Sequence, residues 1–129
     1  MQSAHSLRLC ALSVDLDEVR HYHAIHGLTA PPAAAHAVFD RGLRRYRELA
    51  AELQLPLTLF TVAADLERAD NAARLRELGN EGHELANHSL DHFYDLTRRG
   101  RDVMVEQIAR ANDALELHTG QRPVGFRAP

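Results

Sequence analysis

The chain has a single cysteine, Cys10, no surplus of basic residues and no long hydrophobic run. A lone cysteine cannot form an intramolecular disulfide, and its place inside an apolar segment points to a reduced, buried thiol in a cytoplasmic protein. Fifteen basic residues against eighteen acidic ones give a formal charge of -3. That balance removes the electrostatic case for nucleic acid or an anionic membrane surface and leaves a neutral or weakly charged small substrate. No window approaches the roughly 20 consecutive apolar residues of a membrane span. The N-terminus lacks the basic start and long apolar stretch of a secretory signal, because Asp15 interrupts the one run that begins there; the expectation is a soluble cytoplasmic protein. Internal repeats, low-complexity tracts and linkers are likewise missing, so the 129 residues are read as one domain.

Two periodicities alternate along the chain. Leu7 to Val14 is short, mostly apolar and closed by acids, the pattern of a strand buried on both faces. Residues 16–32, with three histidines, Gly27 and Pro31-Pro32, show neither period and read as a long loop. From Pro31 onward Ala35, Val38, Phe39, Leu43, Tyr46, Leu49, Ala50 and Leu53 follow three-and-four spacing, which predicts an amphipathic helix with a proline start. Residues 56–63 predict a second buried strand, Asn71 to Leu78 a helix stopped by Gly79, and Gly82 to Asn87 a third strand. Met104, Ile108, Ala111, Leu115 and Leu117 mark a long helix halted by Gly120, and Arg122 to Arg127 a fourth strand. The order is that of an α/β fold, parallel strands with covering helices, in which sites collect at the carboxyl ends of the strands.

Histidine is plentiful, nine in all. In His88-Ser89-Leu90-Asp91-His92 the two imidazoles are four apart, which on a helical turn puts them on one face, about 5–6 Å between Cβ atoms and within reach of one ion. Asp15 and Asp17, at the end of the first strand, fall on the same side of the chain. Imidazole and carboxylate suit zinc and its first-row neighbours, and three protein ligands with one open position is the catalytic arrangement. Asp17, His88 and His92 are therefore the expected ligands, with Asp15 as the base that takes a proton from metal-bound water and Arg127 holding Asp15 through a charge-assisted fork. Such a set is competent for amide or ester hydrolysis. Each member has an ordinary reading by itself: a strand-end turn, a pair of surface histidines, a solvated arginine. Their order along the chain is what joins them. His21, His23 and His26, spaced by two and three, match no single helical face and read as substrate contacts or solvated loop residues; His83 reads as structural.

In these motifs the chain resembles the polysaccharide deacetylase superfamily, the NodB homology domain. The resemblance is carried by Ser13-Val14-Asp15-Leu16-Asp17, by Thr58-Leu59-Phe60-Thr61-Val62, by the run from Gly82 to His92, and by Gly125-Phe126-Arg127-Ala128-Pro129, which is similar to the family's arginine-proline motif. It implies the N-terminal part of a distorted (β/α)7 barrel and a metal-dependent enzyme that removes N-acetyl groups from acetylated amino sugars or polysaccharides. It also implies Asp15 as catalytic base, Arg127 as the residue orienting it, and Asp17, His88 and His92 as ligands of one divalent ion, usually zinc, with cobalt, nickel, iron or manganese in some members. Substrate-binding residues are not assigned by it.

Two departures shape the expectation. Leu16 separates aspartates that are adjacent in the family's commonest form, as in a divergent branch that includes amidohydrolases of cyclic ureides. The family's later strands, with the histidine that acts as general acid, have no counterpart before Pro129, so residues 1–129 are read as a C-terminally truncated deacetylase domain that is slow or inactive alone. A four-stranded sheet ending at an unpaired strand also leaves an open edge, which makes dependence on a partner or oligomer an option. The alternative readings are hydrolysis of a cyclic ureide or other non-sugar amide on the same scaffold, and a non-catalytic metal-binding fragment.

Overall fold

A computed structural model describes residues 9–129 of the chain. β1 (Leu12–Leu16), β2 (Leu57–Thr61) and β3 (Glu84–Asn87) form a parallel sheet in the order β1-β2-β3. β1 leads into α1 (Val19–Ile25); a π-helical turn (Val38–Gly42) then continues as α2 (Leu43–Leu53) toward β2. A 3-10 turn (Ala63–Glu67) and α3 (Ala69–Asn80) connect β2 to β3, and a further 3-10 turn (Leu96–Arg98) precedes the long α4 (Arg101–Thr119). The register sets Leu16 beside Thr61 and Thr61 beside Asn87, so the three strands end in one row. The residues that follow this row, Asp17 and His88 among them, are delivered to one edge of the sheet.

One face of the sheet is the core. Leu57, Leu59 and Leu85 point into it with Leu16, and Phe39, Leu43, Ala50, Leu75, Leu78 and Leu115 close it from the helices. Burying a leucine side chain of this kind contributes about 1.5–3 kcal/mol. The other face carries Ser13, Asp15, Thr58 and Phe60 and is only partly covered. The expectation of a first strand buried on both faces is corrected accordingly: along β1 only Leu16 is fully buried.

Other boundaries shift for identifiable reasons. β1 starts at Leu12, and Leu7, where the strand was expected to begin, lies outside the described residues. Cys10 precedes the strand and is exposed, not buried. The expected long loop contains α1, a seven-residue helix with no buried residue of its own. The helix expected from Pro31 begins only at Val38, because the buried Glu18 carboxylate accepts the backbone N–H groups of Val38 (3.0 Å) and Phe39 (2.8 Å). Those are orphan donors of a helix start, satisfied here from a distant part of the chain. α3 runs past Gly79 to Asn80, and α4 ends at Gly120, which takes φ +78° as a left-handed cap. The expected fourth strand is reduced to a single parallel bridge between Asn87 and Phe126. Pro123 has no N–H to offer a ladder, and Val124 is fully turned to solvent. No helix among the described residues is long and apolar enough to cross a membrane.

Candidate metal centre

Asp17 follows directly on β1, and His88 follows directly on β3. The segment from His88 to His92 is not helical, contrary to the sequence reading. Ser89 (φ 69°) and His92 (φ 56°) are both left-handed, a conformation that costs non-glycine residues energy and that concentrates at functional sites. Side-chain bonds enforce it. Asn87 Oδ1 accepts the Ser89 N–H at 2.7 Å, Ser89 Oγ accepts the His92 N–H at 3.0 Å, and Gln107 Oε1 on α4 accepts the Asp91 N–H at 2.9 Å. Asn87 is itself tied to α4 by donating to the Ile108 carbonyl (2.9 Å) and Asn112 Oδ1 (2.7 Å). The two imidazoles end with ring centroids 5.0 Å apart.

Asp17, His88 and His92 offer one ligand atom each, all within 4.8 Å of one another, and are the one such group of three among the described residues. His88 Nε2 lies 3.1 Å from Asp17 Oδ1, and His92 Nε2 lies 3.3 Å from Asp17 Oδ2. These contacts are short in distance but off in angle, since the buried Asp17 Oδ1 and both ring nitrogens of His92 lack a hydrogen-bond partner. Buried polar atoms left unpartnered are costly, and the two residues that carry them here both belong to this group of three. His88 Nδ1 is 2.8 Å from the Arg127 carbonyl oxygen, so it carries the proton and Nε2 presents its lone pair. A divalent cation fits this donor set.

Charge reinforces the geometry. Burial alone would raise the Asp17 carboxyl, but the close approach of the His88 and His92 imidazoles outweighs it and holds the group well below the usual carboxylate range. For His88 burial works against the charged ring, while Asp17 and the Arg127 carbonyl draw it above 6.5. Without a cation, the site therefore attracts a proton.

Asp15 and Arg127 meet on the open face of the sheet. Arg127 reaches there because its backbone N–H donates to the Asn87 carbonyl (3.0 Å), which anchors the segment after α4 beside β3. Its guanidinium lies 4.0 Å from the Phe60 ring centre. One arm donates to Asp15 Oδ1 at 2.5 Å and the other to Ser13 Oγ at 2.8 Å. The expected fork on Asp15 is thus a single bond, with Ser13 taking the second arm.

Several neighbours of the centre had no signal in the sequence. Tyr22, on α1, donates its hydroxyl to Asp17 Oδ2 at 3.1 Å. Burial and the adjacent Asp17 push its phenol up to about 12, so it keeps its proton. His21 stacks on His92 at 5.2 Å between centroids, and its Nε2 lies 2.9 Å from the fully buried Asp65, which also accepts from Arg20 Nε at 2.9 Å. Tyr94 sets its ring edge-on to His92 at 4.7 Å. Beside His92 opens a groove of about 340 Å³ lined by His21, Ile25, Phe93, Tyr94 and Arg99. His23 bonds within its own helix to the Val19 carbonyl, and His26 caps the helix in solvent. His83 accepts the Leu57 N–H at 3.1 Å, joining β2 to the start of β3, a structural task.

The family model described as polysaccharide deacetylase matches residues 29–129, a span that holds His88, His92 and Arg127 but begins after Asp15 and Asp17. A chitooligosaccharide deacetylase from Sinorhizobium fredii is 32% identical over 83 residues, which cover 64% of this chain and 37% of that protein. Among solved structures, a Mycobacterium smegmatis protein described as a polysaccharide deacetylase superposes with TM-score 0.75 at 26% identity, covering 92% of this chain and 42% of its own. An allantoinase structure superposes with TM-score 0.71 at 20% identity, covering 90% and 44% respectively. The chain thus spans less than half the length of the relatives it matches.

Proposed function

The chain belongs to the polysaccharide deacetylase family, and from that membership we propose that it carries the metal centre and general base of a hydrolase that removes N-acetyl groups from acetylated amino sugars. The observation that carries the proposal is the convergence of buried, unpartnered atoms of Asp17 and His92 with the lone-pair nitrogen of His88. Two neutral imidazoles and one carboxylate suit zinc, and tolerate cobalt, nickel, iron or manganese. A divalent cation held there would polarise an amide carbonyl and bring the pKa of water toward about 7.

The remaining chemistry falls to the chain's own groups. Asp15 takes the proton of the attacking water through the oxygen that Arg127 leaves free, and Arg127 keeps the carboxylate from rotating. Ser13 and the Phe60 face hold the guanidinium in turn. The amine must leave with a proton, and among Asp15, Asp17, His88, His92 and Arg127 the one on offer is that which Asp15 took from the water; with a single carboxyl serving as base and then acid, catalysis by these groups alone is slow.

Incubation of the zinc-loaded chain with N-acetylglucosamine oligomers, with released acetate measured against Asp15→Asn, tests the proposal. Acetate release that falls about 10²-fold or more in Asp15→Asn supports it. Turnover of cyclic ureides but not of acetylated sugars would overturn the substrate class, and zinc binding with no acetate release at high protein concentration would favour a non-catalytic metal-binding role.

A further inference from the structure

The two oxygens of Asp17 are not equivalent. Oδ1 is buried and has no hydrogen-bond partner, whereas Oδ2 accepts the Tyr22 hydroxyl at 3.1 Å. Tyr22 stands on α1, whose position is not set by apolar packing, since the helix buries no residue. It is pinned instead by polar contacts on either side. Arg20 and His21 hold the buried Asp65, and Glu18, immediately before the helix, holds Val38 and Phe39. A helix so short and so wet would fray without these ties. With them, it presents one phenol to one carboxylate oxygen.

We propose that Tyr22 is a positioning residue of the metal centre: by occupying Asp17 Oδ2 it leaves Oδ1 as the carboxylate oxygen available to a divalent cation and fixes the carboxylate plane against His88 and His92. The inference rests on the reading of Asp17, His88 and His92 as the ligands. A ligating carboxylate with both oxygens free can rotate or chelate through the pair, and the hydrogen bond removes that choice. Partners of this kind to a ligand typically account for about 10–100-fold in metal affinity. A phenol suits the task because it donates a single hydrogen bond without adding positive charge beside the cation. Tyr94, the other tyrosine at the centre, sets its ring against His92 and its hydroxyl beside that of Tyr22, so it belongs to the same cluster.

Tyr22→Phe in the whole chain removes one oxygen and keeps the half-exposed ring. Zn²⁺ affinity by chelator competition is compared with metal-free thermal unfolding and with the visible absorption of the Co²⁺-loaded protein. The expected result is one equivalent bound about 10–100-fold more weakly, with an altered Co²⁺ spectrum, while Tyr46→Phe, on α2 and outside the centre, stays within about twofold of the parent. Unchanged affinity and Co²⁺ spectrum in Tyr22→Phe overturns the assignment, including the case where only metal-free thermal stability falls, which is the mark of a purely structural hydroxyl. Failure of the parent protein to take up Zn²⁺ overturns both this inference and the ligand set beneath it.

Discussion

The Nδ1 atom of His88 lies 2.8 Å from the carbonyl oxygen of Arg127, the residue whose side chain also grips Asp15. One residue thereby sets the tautomer of an imidazole through its backbone and the orientation of a carboxylate through its guanidinium. The two tasks are separable by mutation. Arg127→Lys keeps the carbonyl but loses the planar pair of arms that spans Asp15 and Ser13. Zinc affinity should stay within about threefold of the parent, and acetate release should fall about 10²-fold. Equal loss of both, read by chelator competition and by an acetate assay, would mean that the side chain supports the metal centre as a whole.

Asn87 is the buried keystone of the His88–His92 segment. Its amide donates to the Ile108 carbonyl and to Asn112, and its oxygen holds the Ser89 N–H. Asn87→Ala leaves those groups unsatisfied inside the protein, at about 1–3 kcal/mol for each group that cannot turn to water. A loss of about 3 kcal/mol is expected, seen as a lower urea midpoint at unchanged slope, together with weaker zinc binding because the left-handed turn at Ser89 loses its clamp.

Metal binding should strengthen as pH rises. His88 has its pKa drawn above 6.5, so in mildly acidic solution the cation must displace a proton from it. Zinc affinity should fall by about one decade per pH unit for each histidine proton displaced below that range. Asp17, held far below the usual carboxylate range, stays ionised across the same window and adds no slope. Metal-free stability should run the opposite way. A raised folded pKa means that the contribution of His88 is complete below its unfolded value near 6.5 and is lost as pH rises through the folded value. Thermal unfolding of metal-free and zinc-loaded protein between pH 5.5 and 8 should therefore show trends of opposite sign, and parallel trends would contradict the proton–metal competition.

The parts of the fold legible from sequence are those where periodicity and packing agree. Leu57 and Leu59 alternate inward as a buried strand requires, and the long amphipathic stretch ending at Gly120 is α4. α1 was not legible, because Val19–Ile25 buries nothing and owes its order to Asp65, more than 40 positions away. The late start of the helix that continues as α2 has the same kind of cause, a carboxylate at Glu18 reaching Val38 and Phe39. The meeting of His88 and His92 was legible in their spacing of four, yet a different local geometry produces it: two left-handed residues and a set of side-chain bonds in place of a helical turn. Tyr22 carried no sequence signal, since a tyrosine five residues after an aspartate marks nothing until the helix between them is in place.

Whether Asp17, His88 and His92 form one metal site is decided by zinc stoichiometry on the purified chain. The parent should bind about one equivalent, and His88→Ala or His92→Ala should retain none after dialysis, with both variants still folded by far-ultraviolet circular dichroism. Stoichiometry unchanged in the two folded variants would contradict it.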